Sequence, residues 1–201
     1  MTNIQIKKFI VGVMGNNAYL VTKADSKNAV LIDPSTGYKK ISAYCKDNDI
    51  IIKDIILTHG HFDHINDVAK FQRDGAKVYI HEVEADKLYT DGNLAYMLGQ
   101  TVEPSKADVT FKDNDTLSLC GIDFSIIHTP GHSSGSVCII AEQYMFSGDT
   151  IFLYDRGRVD FPDSSPRDMQ LSLKRLFGLP NDYIVLPGHG DNTTLDNERV
   201  R

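Results

Sequence analysis

Cysteine is scarce in this chain, with three in 201 residues, at Cys45, Cys120 and Cys138. They are odd in number and far apart, and no CxxC occurs, which excludes a disulfide framework. Reduced thiols of this kind suit a cytoplasmic protein. Long apolar runs are missing too. The longest, Val137 to Ala141, is five residues, against the ~20 that a membrane span needs. The opening MTNIQIKKFIVGVMG has no apolar block followed by a small-residue cleavage site, so no signal peptide is expected. An excess of positive charge is also lacking: Lys+Arg 21 against Asp+Glu 27 gives a net charge of −6. Nucleic acid, bound through its phosphates, is therefore not an expected partner. No internal repeat and no low-complexity tract is present.

Apolar residues make up 41% and charged residues 24%, the composition of an ordinary globular protein. The length predicts one domain spanning 1–201, with about 70% of its unfolded surface buried. Strands are expected at Ile4–Val13, Asn17–Thr22, Ala29–Ile32 and Ile50–Thr58, the last read as a buried strand. Gly15-Asn16-Asn17 reads as turn material. Helices are expected at Tyr38–Lys46, from Asp63 (read as an N-cap) to Asp74-Gly75, and from Pro166 through Phe177. Lys77–His81 reads as a strand, and Glu82–Asp108 as a long loop with short helical turns. Strands follow from Val109, at Thr116–Leu119, Ile122–His128, Ser136–Ile140, Tyr144–Phe146 and Tyr183–Leu186. Strand blocks and helices thus recur in two successive halves, which predicts sheets packed on each other with helices outside.

Chemistry concentrates at strand ends. Five of the seven histidines lie in three Gly-containing segments, each just after an expected strand. These are Thr58-His59-Gly60-His61-Phe62-Asp63-His64, Thr129-Pro130-Gly131-His132-Ser133 and Pro187-Gly188-His189-Gly190. A fourth strand end supplies Ser147-Gly148-Asp149-Thr150. His59 and His61 are two apart and point to the same side of extended backbone. Asp63 and His64 follow where the chain turns into a helix. One loop therefore sends two groups of ligands in different directions and can serve two adjacent metal ions. Imidazole with carboxylate suits Zn²⁺, and also Fe or Mn. Singly, His81 and His128 read as structural residues, and each glycine as a turn former.

THGHFDH, HTPGHSSGS, FSGDTIF and LPGHG together resemble the metallo-β-lactamase fold superfamily, and within it the glyoxalase II-like (hydroxyacylglutathione hydrolase-like) proteins. The resemblance spans nearly the whole chain and implies an αβ/βα four-layer sandwich of the α/β class. It implies that His59, His61 and His132 hold a first metal, that Asp63, His64 and His189 hold a second, and that Asp149 bridges them. Asp33 is then the acid beneath the first ligand loop, orienting imidazoles. The implied reaction is thioester hydrolysis by a hydroxide between the metals, with Asp63 orienting the nucleophile or relaying a proton. Two divalent ions against Asp63, Asp149 and hydroxide leave net positive charge for an anion.

The glyoxalase II pattern has a C-terminal helical region with basic residues for glutathione, and this chain has only twelve residues after His189. The reaction type is kept as the expectation, with a small-molecule thioester as partner and the thiol carrier open. An alternative of the same fold is a persulfide dioxygenase-like oxidoreductase with one iron on His59, His132 and Asp149. A lactonase is another. Tyr154, Asp155, Arg156 and Arg158 are candidate substrate contacts, although Arg158 pairing with Asp160 is the simpler reading. Tyr89, Tyr96 and Met97 are candidates for a pocket wall.

Overall fold

The computed structural model describes residues 4–199. Its first half runs β1 (Ile4–Val11), β2 (Asn16–Lys23), β3 (Asn28–Ile32), α1 (Tyr38–Asp47), β4 (Ile51–Ile56), α2 (Phe62–Ile65), α3 (Val68–Arg73), β5 (Lys77–His81) and β6 (Val109–Phe111). The strands form one sheet in sequence order, antiparallel across β1-β2-β3 and parallel from β3 to β6. Three turns of 3₁₀ helix occupy residues 82–98, between β5 and β6.

The second half runs β7 (Thr116–Leu119), β8 (Ile122–His128), β9 (Val137–Ala141), β10 (Tyr144–Gly148), β11 (Ile151–Phe152), β12 (Asp155–Arg156), α4 (Pro166–Phe177), β13 (Ile184–Pro187), β14 (Thr193–Thr194) and α5 (Leu195–Arg199). Its sheet has the order β14-β13-β10-β9-β8-β7, with β10 and β13 parallel, while β11 and β12 pair as a small hairpin.

Alternating side chains place apolar residues on both faces of each sheet. Val21, Val30, Ile32 and Ile56 of the first sheet meet Phe124, Ile126, Ile139, Phe146 and Leu186 of the second. The outer face of the first sheet packs Leu20, Leu31, Ile55 and Ile80 on Ile41, Cys45 and Phe71 from α1 and α3. The outer face of the second packs Cys138, Met145 and Val185 on Leu176 and Leu195 from α4 and α5. The layers are helix, sheet, sheet, helix: an αβ/βα sandwich.

Three local expectations are corrected. Asn16 joins Asn17 in opening β2 and the turn lies at 12–15, because both side-chain amides find partners beyond their own hairpin. Asn17 Nδ2 donates to the Pro187 and Gly190 carbonyls (both 2.9 Å), and Asn16 Nδ2 to Asp63. The fourth strand is buried only in its second half, since Ile51 starts beside the exposed Asn28 at the end of the sheet. Asp63 does not cap the helix. His61 holds that position with extended backbone, and the Asp63 carboxylate turns instead toward Asn16 and His189. The elements β11, β12, β14 and α5 are too short to leave a sequence signal.

Candidate metal centre

Every expected ligand leaves the sheet within a few residues of a strand end. From the first sheet, β4 delivers His59 and His61, and the short α2 that follows carries Asp63 and His64. From the second, β8 delivers His132, β10 Asp149 and β13 His189. The two halves are tied to each other where these ends meet. Val137 N–H donates to the Thr58 carbonyl (2.9 Å), Asn17 N–H to the Gly188 carbonyl (2.7 Å), and Tyr19 Oη to the Pro187 carbonyl (2.7 Å).

The seven side chains converge. Three groups have donor atoms within 4.8 Å of one another: His59, His61 and His132; His59, His64 and Asp149; Asp63, His64 and His189. Asp149 joins them. Its Oδ2 lies 3.6 Å from both His132 Nε2 and His189 Nε2, and its Oδ1 lies 3.4 Å from His64 Nε2. His61 Nδ1 and His132 Nε2 face each other at 2.9 Å. His59, His61, His64, His132 and Asp149 are buried, whereas Asp63 and His189 are partly exposed.

A metal fits this set. His59 Nε2, His64 Nε2 and Asp149 Oδ1 are buried and have no hydrogen-bond partner among the described residues. Polar atoms so placed are costly unless something coordinates them. The opposite nitrogens are engaged. His64 Nδ1 donates to Asp33 Oδ2 (2.9 Å), His132 Nδ1 to the Arg158 carbonyl (2.9 Å) and His189 Nδ1 to the Met14 carbonyl (3.3 Å). His59 Nδ1 meets Thr58 Oγ1 at 3.1 Å, and that hydroxyl donates to Asp33 Oδ2 (2.6 Å). Such outer contacts fix the tautomer and turn the lone pair inward. Imidazole and carboxylate donors without thiolate suit zinc, iron or manganese.

The electrostatics follow from burial and from neighbours. Burial, with the adjoining imidazoles, holds His59 well below the usual histidine range. Burial also pushes His64 down, yet the carboxylates of Asp63 and Asp149 beside it prevail and raise it. Burial opposes ionisation of Asp63, but His64, His189 and Asn16 lower it. Gly188 keeps the centre open at one side. A Cβ there would lie 2.3 Å from Asp149 Oδ1 and 2.7 Å from His64 Cε1.

Residues 11–189 match the metallo-beta-lactamase superfamily. The chain belongs to the metallo-β-lactamase superfamily. Hydroxyacylglutathione hydrolase GloC of Haemophilus influenzae is 31% identical over 87% of this chain and 86% of its own. Two solved structures are similar along nearly their whole length. The BLEG-1 B3 metallo-beta-lactamase has a TM-score of 0.92 at 31% identity, covering 98% of this chain and 97% of that one. TTHA1623, solved in a di-iron-bound form, has a TM-score of 0.85 at 34% identity, covering 96% of each. The metallo-β-lactamase fold is therefore shared with both a lactamase and a protein that holds two irons.

Several residues that shape this superfamily site carried no sequence signal. Glu84, fully buried, accepts the Gly60 N–H (2.7 Å) and the Gly135 N–H (2.8 Å), joining the loops that carry His61 and His132. Lys87 Nζ, also buried, bridges Glu84 Oε1 (2.9 Å) to Asp163, whose other oxygen lies 3.9 Å from His61 Nε2. Asn16 sets the Asp63 carboxylate through a 2.8 Å bond. Other candidates divide. Arg158 pairs with Asp160 through Nε (2.6 Å) and a terminal nitrogen (2.7 Å), so the simpler reading holds. Met97 lines the cavity at the metal cluster, but Tyr89 and Tyr96 do not. His81 and His128 stack on each other, with ring centroids 4.3 Å apart, and neither belongs to the three groups of the cluster.

Proposed function

We propose that this single-domain chain hydrolyses thioesters with two divalent ions, zinc or iron, in a reaction like the one named for the Haemophilus relative. The observation that supports it is Asp149, whose carboxylate reaches imidazoles of both ligand groups. His59, His61 and His132 would hold one ion and Asp63, His64 and His189 the other, with Asp149 placed between the two groups. Bound there, such ions supply hydroxide at neutral pH and positive charge for a tetrahedral oxyanion. Asp63, oriented by Asn16, would position the nucleophile. A thiolate leaves without a strong general acid, because a free thiol has a pKa of about 8.5. The products are a carboxylate, a thiol and one proton. Three free thiols favour the cytoplasm as the compartment.

The test combines elemental analysis with turnover of lactoylglutathione, simpler thioesters, lactones and a β-lactam. Two ions per chain, thioester cleavage and no oxygen uptake on glutathione persulfide are expected. Full metal loading without cleavage of any thioester removes the reading. One iron per chain with oxygen uptake replaces it by a dioxygenase.

A further inference from the structure

The cavity that opens on the metal cluster has a wall that thioester chemistry alone does not require. It encloses about 540 Å³, within the usual size of a small-molecule site. Beyond the site imidazoles and carboxylates, its lining is mainly apolar: Phe62, Leu94, Met97, Leu98, Phe152 and Phe161. The Phe161 ring lies 5.1 Å from His61 and 5.6 Å from His132, and Phe152 lies 6.1 Å from His189. Apolar surface thus reaches both ligand groups. Met97 and Leu98 are 51% and 58% exposed, so a hydrocarbon covering them removes apolar area from water.

Charge is sparse along this wall. Among the described residues no lysine lines the cavity, and its carboxylates are those of Asp63 and Asp149, which face the cluster. Arg158 is held by Asp160, with its guanidinium 4.5 Å over the Phe161 ring. Arg156, exposed, also lines the cavity. A charged acyl arm on this wall would meet mainly hydrocarbon, with no acid outside the metal pair among the described lining residues. Unpaired charge placed against apolar surface is penalised.

We propose that the site selects thioesters whose acyl arm is an uncharged hydrocarbon or aryl group, lying along Met97, Leu98, Phe152 and Phe161. This rests on the thioester reading above. Water adds to the acyl carbon, the C–S bond breaks, and carboxylate, thiol and one proton are released. No other reactant is needed.

The experiment uses zinc-loaded protein and two measurements. The first compares kcat/KM for benzoyl- and hexanoyl-N-acetylcysteamine with that for lactoyl- and succinyl-N-acetylcysteamine, which carry the same thiol. The apolar thioesters are expected to be at least about tenfold better, the scale at which apolar pockets discriminate. The Met97→Gln, Leu98→Gln double variant, on a half-exposed 3₁₀ turn, is expected to raise their KM and narrow that ratio. The second is calorimetric binding of a non-hydrolysable thioether, S-hexyl-N-acetylcysteamine, against S-methyl-N-acetylcysteamine. The hexyl ligand is expected to bind more tightly and to weaken in the double variant. Preference for the lactoyl or succinyl thioester, or a ratio the variant leaves unchanged, overturns the proposal, as does absence of hexyl-thioether binding. Hexyl-thioether binding with no thioester cleavage keeps the apolar selectivity and removes the thioesterase reading instead.

Discussion

Asp33 occupies a left-handed backbone position (φ 48°) that few residues other than glycine, asparagine and aspartate adopt. It is held there from several sides. Its N–H donates to the Ile56 carbonyl (3.3 Å), and its carboxylate accepts the Thr58 N–H (2.8 Å) and hydroxyl (2.6 Å) and His64 Nδ1 (2.9 Å). One carboxylate thereby orients His64 directly and His59 through Thr58. Asp33→Asn keeps the size and loses the charge and one acceptor. It is expected to weaken metal binding or activity by about 10–100-fold, read by metal titration followed by thioester assay. Wild-type affinity in the variant would show that the two imidazoles are oriented by packing alone. The cysteines behave as small buried or half-buried hydrophobes. Burial raises Cys45 to about 11 and Cys120 and Cys138 to about 12, so none of them competes as a nucleophile at neutral pH.

Among the elements, the ligand loops depend on a segment that carries no ligand itself. The 3₁₀ turn at Glu82–Leu88 lays Glu84 between the loop after β4 and the loop after β8, where it accepts one N–H from each. Lys87 neutralises it and passes the contact to Asp163. Glu84→Ala leaves two buried N–H groups and one side of a buried ammonium unpaired. A loss of roughly 3 kcal/mol is expected in urea unfolding, with less metal retained after gel filtration. Glu84→Gln, which preserves one acceptor, is expected to lose less of both. Equal stability of Glu84→Ala and wild type would mean that water replaces the carboxylate there. α4 shows the opposite case, an element written in its own residues. Ser165 accepts the Asp168 N–H, Pro166 stands at the first turn, and Met169 and Leu176 face the core.

At the scale of the whole molecule, the two half-sandwiches each bring part of one cluster. The first sheet supplies His59, His61, Asp63 and His64, and the second His132, Asp149 and His189. Ions bound between them favour the folded state, because the unfolded chain has no such site. Chelation is therefore expected to lower Tm, and zinc at a thousandfold excess over its Kd to restore about 4 kcal/mol, followed by circular dichroism. An unchanged Tm would mean that the cluster holds no ion in the folded protein. The sequence by itself determined the main strands to within a few residues, the order and spacing of the clustered histidines and aspartates and the helix at Pro166–Phe177. Each of these is set by neighbours a few positions away, through pleat, cap and turn. Only the tertiary structure decided that Asn16 sets Asp63, that Glu84, Lys87 and Asp163 lock two ligand loops, and that Phe152 and Phe161 wall the cavity. Gly135 and Glu84 are 51 positions apart, and Lys87 and Asp163 are 76 apart. Contacts over such distances depend on how two sheets pack, and packing leaves no period, cap or turn in the chain to read.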